Sequence, residues 1–166
     1  MRRSERNALR ALYHYRCAYC GTTEVDTGGE LTVDHFQPRA RGGADVSSNW
    51  VYACITCNDY KGDYWQPDAV SRILHPLHDH LADHIHEGED ARLVSLTATG
   101  QFHIERLQLN RLQLVTQRRR NRAVQALHQR WTYLEEENAL LRRHLQVVEE
   151  QIRLLMEETE FSTRSC

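Results

Sequence analysis

The sequence has no apolar run approaching the roughly 18 residues that a membrane-spanning helix needs, and its Arg-rich start carries no apolar core of the kind a secretory leader has. A cytoplasmic protein that does not enter a membrane is the resulting expectation. Neither sign of charge dominates: 21 Lys and Arg stand against 23 Asp and Glu, a formal net charge of -2. With no global excess of basic residues, any contact with nucleic acid has to come from local clustering. Gly and Pro are absent after Asn110, so nothing breaks a helix from there to about Glu160. Cysteine is sparse and patterned. Four of the five residues form two Cys-x-x-Cys pairs, Cys17 with Cys20 and Cys54 with Cys57. That usage suits reduced thiolates kept for a metal better than the disulfide framework of a small secreted domain; two disulfides or a redox pair are the alternative. Cys166 is left over as an unconstrained thiol on the tail.

The 166 residues have room for one compact domain plus an extension. Ser4 is placed to cap a first helix ending near Tyr15, in which Ala8, Leu9, Leu12 and Tyr13 recur at helical spacing. A knuckle over residues 17–21 and a polar turn over 22–29 follow. A short strand over 31–33 then delivers Asp34 and His35 at its end. Residues 36–48, with Pro38, Gly42 and Gly43, read as a loop, 49–53 as extended and 56–64 as a helix, and 66–68 close this unit. Beyond it the pattern predicts a helix around 80–86, a strand over 93–96, a turn at Gly100 and a second strand over 102–104.

The last segment is electrically polarised. Arg106, Arg111, Arg118, Arg119, Arg120 and Arg122 lie in a stretch without an acid, while Glu135, Glu136, Glu137, Glu149, Glu150, Glu157, Glu158 and Glu160 crowd the end. With Asn110 as its cap, one long helix carries heptads whose a positions are Val124, Trp131, Asn138, Leu145 and Ile152 and whose d positions are Leu127, Leu134, Leu141, Val148 and Leu155. Only Asn138 interrupts the apolar seam. A single Asn at an a position favours a parallel two-stranded coil, because the two amides pair with each other. In that homodimer the g and e positions bring Arg130 to Glu135, Glu137 to Arg142 and His144 to Glu149, with no like-charge pair.

The chemistry concentrates between Val33 and Gly62. Asp34 and His35 are adjacent, Asn49 follows, and Asn58 directly succeeds the second Cys pair, with Lys61 and Gly62 just beyond. A carboxylate and an amide that hold a hard cation, beside an imidazole that deprotonates water, are the groups phosphodiester hydrolysis requires. An imidazole is suited to the base because its ordinary pKa of about 6.5 leaves it mostly neutral near pH 7.

Over Cys17 to Gly62 these elements together resemble the HNH endonuclease family, with Asn58 where many members have His. The resemblance implies a zinc-stabilised ββα-metal core, which agrees with the strand, loop, strand, helix order. It implies His35 as general base, Asn49 tying the loop and orienting that base, and Asp34 and Asn58 as ligands of one Mg2+ or Mn2+, with cleavage leaving a 5′ phosphate. Cys17, Cys20, Cys54 and Cys57 have the spacing of a closed structural Zn2+ site. A helix cap is the alternative role of Asn58.

Lys61, Arg39 and Arg41 are candidate phosphate contacts, and Arg118, Arg119 and Arg120 a basic stretch attracted to the DNA backbone, or else a solvated helix face. His75, His78, His80, His84 and His86 lack an accompanying carboxylate or Cys at diagnostic spacing and read as scattered accessory residues. The expected class is α+β: an HNH nuclease core over 1–66, a small α/β accessory segment over 67–115, and a basic stretch, coiled coil and tail over 116–166. The expected function is a dimeric, metal-dependent endonuclease acting on DNA. A noncatalytic zinc-containing DNA-binding dimer is the rival, and a nuclease for RNA or structured junctions a third reading.

Overall fold

The computed structural model describes residues 2–67 and 70–164, with the side chains of 158–164 left aside. Cys166 and Asp68, each given a place in the sequence reading, lie outside the described residues, as do the side chains of Glu158 and Glu160. The chain divides after Arg119 into two units. The class is α+β.

In the first unit α1 (Arg3–Leu12) is entered through Arg2, whose amide donates to Glu5; Ser4 is the second helical residue and not the cap. The helix stops three residues before Tyr15 because His14 and Tyr15 take left-handed backbone angles, φ 51 and 58. Leu9 is its buried residue, Tyr13 at the C-cap is buried as well, and Leu12 is left exposed. The predicted polar turn contains a single helical turn, α2 (Glu24–Thr27), capped by Thr23 and closed by Gly28 at φ 72. Arg10 reaches Glu24 and Glu30 and ties α1 to this turn.

Strand β1 (Thr32–His35) pairs antiparallel with β2 (Trp50–Ala53), Val33 opposite Tyr52 and His35 opposite Trp50. Asp34 and His35 therefore belong to the strand itself. Leu31 precedes it, and its amide donates to the Tyr52 hydroxyl, which in turn donates to Glu24. All four residues of β2 are buried, in a core shared with Leu9, Tyr19, Leu74 and Leu107. Helix α3 (Ile55–Lys61) follows at once and ends three residues short of Tyr64, at Gly62, whose φ of 55 and ψ of -139 suit a residue without a Cβ. This β1, β2, α3 succession carries the candidate site.

The accessory part departs from prediction in two places. The helix expected around 80–86 is a single 3₁₀ turn, Leu81–Asp83, leading into β3 (Ile85–Glu87), which pairs with β4 (Leu93–Ser95). The strand expected over 102–104 lies inside α4 (Ala98–Arg106), capped by Thr97. Gly100, His103, Ile104 and Leu107 are all buried and share one helical face. Gly100 is no turn residue: a Cβ there would stand 2.1 Å from the His84 carbonyl oxygen, so its role is close backbone approach.

Asn110 likewise does not cap the last helix. Its side chain accepts from the Leu93 amide and donates to the Leu93 carbonyl, completing the edge of β4, and α5 (Leu112–Arg164) begins two residues later. Leu114 and Val115 bury the start of α5 in the first unit. In the second unit, the seam residues Val124, Leu127, Trp131, Leu134, Leu141, Leu145, Val148, Ile152 and Leu155 are all exposed, and Asn138 donates to the Leu134 carbonyl within its own helix.

Candidate active site and metal centre

The two Cys pairs meet. Cys17 and Cys20 come from the tight turn after α1, where the Gly21 amide bonds the Cys17 carbonyl; Cys54 caps α3 through its sulfur and Cys57 lies in that helix's first turn. The four Sγ atoms lie within 4.8 Å of one another, and Cys20 and Cys54 are 3.8 Å apart. Tetrahedral coordination with Zn–S bonds of about 2.3 Å sets sulfur atoms about 3.8 Å apart, so the donor set fits zinc in both chemistry and spacing. All four thiols are free, and among the described residues they form the one cluster of three or more metal-suited side chains.

Charge is shared unevenly among the four thiols: hydrogen bonds within the cluster push Cys17 and Cys57 up and lower Cys54 to about 7. Hydrogen bonds from Cys17, Cys54 and Cys57 push the Cys20 thiol far below its ordinary range, and that thiol also contacts the Thr22 hydroxyl. Arg111 donates to Cys57 Sγ at 3.5 Å; burial works against its charge, but the contact with Cys57 raises its pKa overall. Thr22 donates to Gln117 of α5, so the first turns of the last helix close over the zinc knuckle.

Asp34, His35 and Asn58 line one open cleft of about 350 Å³, with Arg39 and Asp63 at its sides. Asp34 is buried on β1. Its Oδ2 accepts from the Tyr19 hydroxyl at 2.7 Å and its Oδ1 from Lys61 Nζ at 2.9 Å. Burial raises the Asp34 carboxyl above its ordinary value, against the opposing pull of Lys61 and Tyr19. Burial, then the charge of Asp34, holds the Tyr19 phenol well above 10, so Tyr19 remains a donor. A carboxylate offers about four acceptor sites, so Asp34 keeps lone pairs for a further partner. Asn58 lines the same cleft, so the two side chains supply oxygen donors of the kind that Mg2+ or Mn2+ takes.

Asn58 is the fourth residue of α3, past the Cys54 cap, so the capping alternative does not describe it. The His35 ring places Nε2 2.9 Å from Asp45 Oδ1. A carboxylate accepts, so Nε2 carries the hydrogen and Nδ1 the lone pair in the neutral ring. Asn49 does not touch His35. Its Oδ1 accepts from the Gln37 amide and its Nδ2 donates to the carbonyls of Gln37 and Ala44, stitching the two ends of the loop between β1 and β2.

The basic candidates separate. Arg39 and Arg41 are exposed on a 3₁₀ turn, with Arg39 at the cleft. Lys61 is 1% exposed and binds Asp34, the His35 carbonyl and the Gly62 carbonyl, so it faces inward where the sequence reading places it at a phosphate. Arg118 donates to the carbonyls of Ala91 and Leu109, Arg119 to that of Asp90, and Arg120 is exposed.

The histidines form no metal cluster: His75 stacks on His78 at 4.1 Å and meets Phe36 edge-on, while His80 pairs with Asp83 and His84 with Thr97. Tyr19, Asp45 and Asp63 were absent from the sequence reading. Only the spacing of Asp45 after the Gly pair and before Asn49 offered a hint.

Two short strands and a helix, with four cysteine sulfurs gathered at one end and an acid, an imidazole and an amide on one cleft, form a ββα unit. Residues 17–64 match the family model for HNH endonucleases. No curated protein and no solved structure matches the chain.

Proposed function

We propose that the protein is a metal-dependent endonuclease that hydrolyses DNA phosphodiester bonds. The observation that carries this is the single cleft lined by Asp34, His35 and Asn58 within the segment that matches the HNH family. In this reading His35 takes a proton from the attacking water on Nδ1, a geometry supported by the engagement of Nε2 with Asp45. Asp34 and Asn58 would hold one Mg2+ or Mn2+, which would supply charge stabilisation at the phosphoryl group and favour a 5′ phosphate product. Asn49 acts by stitching the loop. Arg39 and Arg41 approach the phosphate from the exposed turn, and Lys61 acts from beneath by holding Asp34 and the His35 carbonyl. Four thiolates hold a structural Zn2+ that joins the knuckle to α3.

The functional partition we propose is a nuclease core over 1–66, an accessory segment over 67–115 and a basic stretch with coiled coil over 116–166. The exposed heptad seam supports a parallel homodimer through α5, with Asn138 setting its register. The stretch of Arg118, Arg119 and Arg120 then adds nonspecific attraction to a duplex, and Arg118 and Arg119 also bond carbonyls of the neighbouring hairpin. The occupation of both Asp34 oxygens by Tyr19 and Lys61 is the one observation favouring a second reading, a noncatalytic zinc-containing DNA-binding dimer.

Incubating supercoiled plasmid with the protein and with His35→Ala, with Mg2+, with Mn2+ and with chelator, tests the choice. Metal-dependent nicking lost in the variant upholds the nuclease. Binding without cleavage by either protein, with zinc retained, rejects it for the second reading.

A further inference from the structure

Asp45 lies on the loop between the strands, ten residues after His35. Its Oδ1 is 2.9 Å from His35 Nε2 and 2.9 Å from Trp50 Nε1. Trp50 is the register partner of His35 across β1 and β2, so two rings from neighbouring strands converge on one oxygen. An indole N–H only donates, so that oxygen accepts from Trp50. The loop behind it is equally constrained. Asn49 grips Ala44 and Gln37, and Gly43 crosses so close to Gln37 that a Cβ would stand 1.8 Å from its carbonyl oxygen. The carboxyl of Asp45 is held below its ordinary range by the bond from His35, then by that from Trp50, and so stays an acceptor. The Asp45 side chain is 47% exposed, so water would satisfy it without either ring. Burial therefore does not demand this contact.

We propose that Asp45 is the positioning residue of the base: it grips the imidazole of His35 by Nε2, selecting the tautomer and ring orientation in which Nδ1 accepts a proton. The assignment rests on the reading of His35 as base. It also gives Asn49 and Gly43 a shared purpose, since both hold the loop that aims Asp45. An imidazole free to rotate presents its lone pair in the productive direction only part of the time, and an outer partner of this kind typically contributes about ten- to a hundredfold to a site's performance.

The test measures cleavage kinetics in Mg2+ for the full chain and for Asp45→Ala, Asp45→Asn, Trp50→Phe and His35→Ala, together with the ring NMR signals of His35. Asp45→Ala is expected to lower kcat by about ten- to a hundredfold with KM unchanged. Asp45→Asn restores most of that rate, because an amide oxygen accepts from both rings. Trp50→Phe, which removes the second donor to Asp45 Oδ1, loses clearly less than Asp45→Ala, which separates the effect from simple anchoring of the loop. In the NMR spectrum the slowly exchanging Nε2–H of His35 is present in the parent and in Asp45→Asn and lost in Asp45→Ala.

A parent rate in Asp45→Ala while His35→Ala is inactive overturns the assignment and leaves the nuclease standing. Equal losses in Trp50→Phe and Asp45→Ala also overturn it, making Asp45 a loop anchor. If the parent does not cut, the nuclease reading fails on its own, and the assignment with it as a catalytic role. The Nε2–H signal then decides the geometry: persistence in Asp45→Ala rejects the contact as the orienting one, and loss retains it.

Discussion

Lys61→Met removes the cation from the most deeply buried ion pair of the domain, and its consequences can be worked out in some detail. Lys61 Nζ is 1% exposed and Asp34 6%, 2.9 Å apart, and the same ammonium binds the His35 carbonyl. Truncating one partner of such a pair leaves a buried charge facing apolar atoms, at a cost of about 3–5 kcal/mol. Tyr19 still donates to Asp34, which places the expectation toward the lower end. With a urea dependence of about 2 kcal/mol per molar, the midpoint should fall by roughly 1.5–2.5 M.

Tryptophan fluorescence reads this in the first unit if Trp131, which lies in the second, is first replaced by Phe. The pH dependence has a definite sign. The Asp34 carboxyl already lies above its ordinary value because of burial, and Lys61 is the largest force pulling it back. Removing Lys61 raises it further, so the penalty is full at pH values above the shifted pKa and shrinks as acid protonates Asp34. Adding Asp34→Asn should recover at least about 1 kcal/mol relative to the sum of the single changes, because the two residues interact directly. A loss below about 1 kcal/mol, or strict additivity in the cycle, would show that Lys61 and Asp34 do not form the buried pair.

Three further outcomes are expected. Replacing Cys57 by Ser, or treating the protein with a strong chelator, should release about one zinc per chain and lose the cooperative unfolding of the first unit while much of the α5 helix signal persists, followed by metal analysis and circular dichroism. His75 and His103 are pushed down to about 4, chiefly by burial. Because these folded values lie below the ordinary 6.5, their contribution to stability is full above pH 6.5 and is lost as pH falls toward 4; thermal melts should show that decline, and His103→Gln, which keeps an acceptor for the Leu74 amide, should flatten part of it. Asn138→Leu should raise the thermal stability of the α5 assembly while admitting trimers or mixed registers, as sedimentation would reveal; an unchanged monomer for both parent and variant would remove the coiled-coil proposal.

Much of the candidate site was legible because its parts are short and local. A Cys-x-x-Cys places two thiolates on one turn whatever surrounds it, and an Asp beside a His on a strand ending at a Gly-rich loop carries its meaning in adjacent residues. The accessory part was harder. Residues 102–104 look like a strand in isolation, yet Thr97 caps a helix through them and Gly100 serves close packing against His84. Asn110 has the chemistry of a cap, but the edge of β4 claims both of its side-chain groups. In each case a partner remote in sequence outbid the local preference.

The sequence by itself determined the short-range features: paired thiols suited to zinc, an adjacent acid and imidazole with an amide after the second Cys pair, and a seven-residue apolar repeat uninterrupted by Gly or Pro. These properties depend on residue identity and short spacing, which the chain carries with it into any environment. Only the tertiary structure decided who touches whom. It buried Lys61 beneath Asp34, brought Tyr19 to the opposite oxygen, turned Asp45 onto His35, and set Arg111 against the sulfur of Cys57. Such contacts join residues up to 54 positions apart, through the strand register and the closure of helices over the zinc knuckle. Hydrogen bonds reach only about 3 Å, so no pattern along the chain reveals them until the fold has closed the distance.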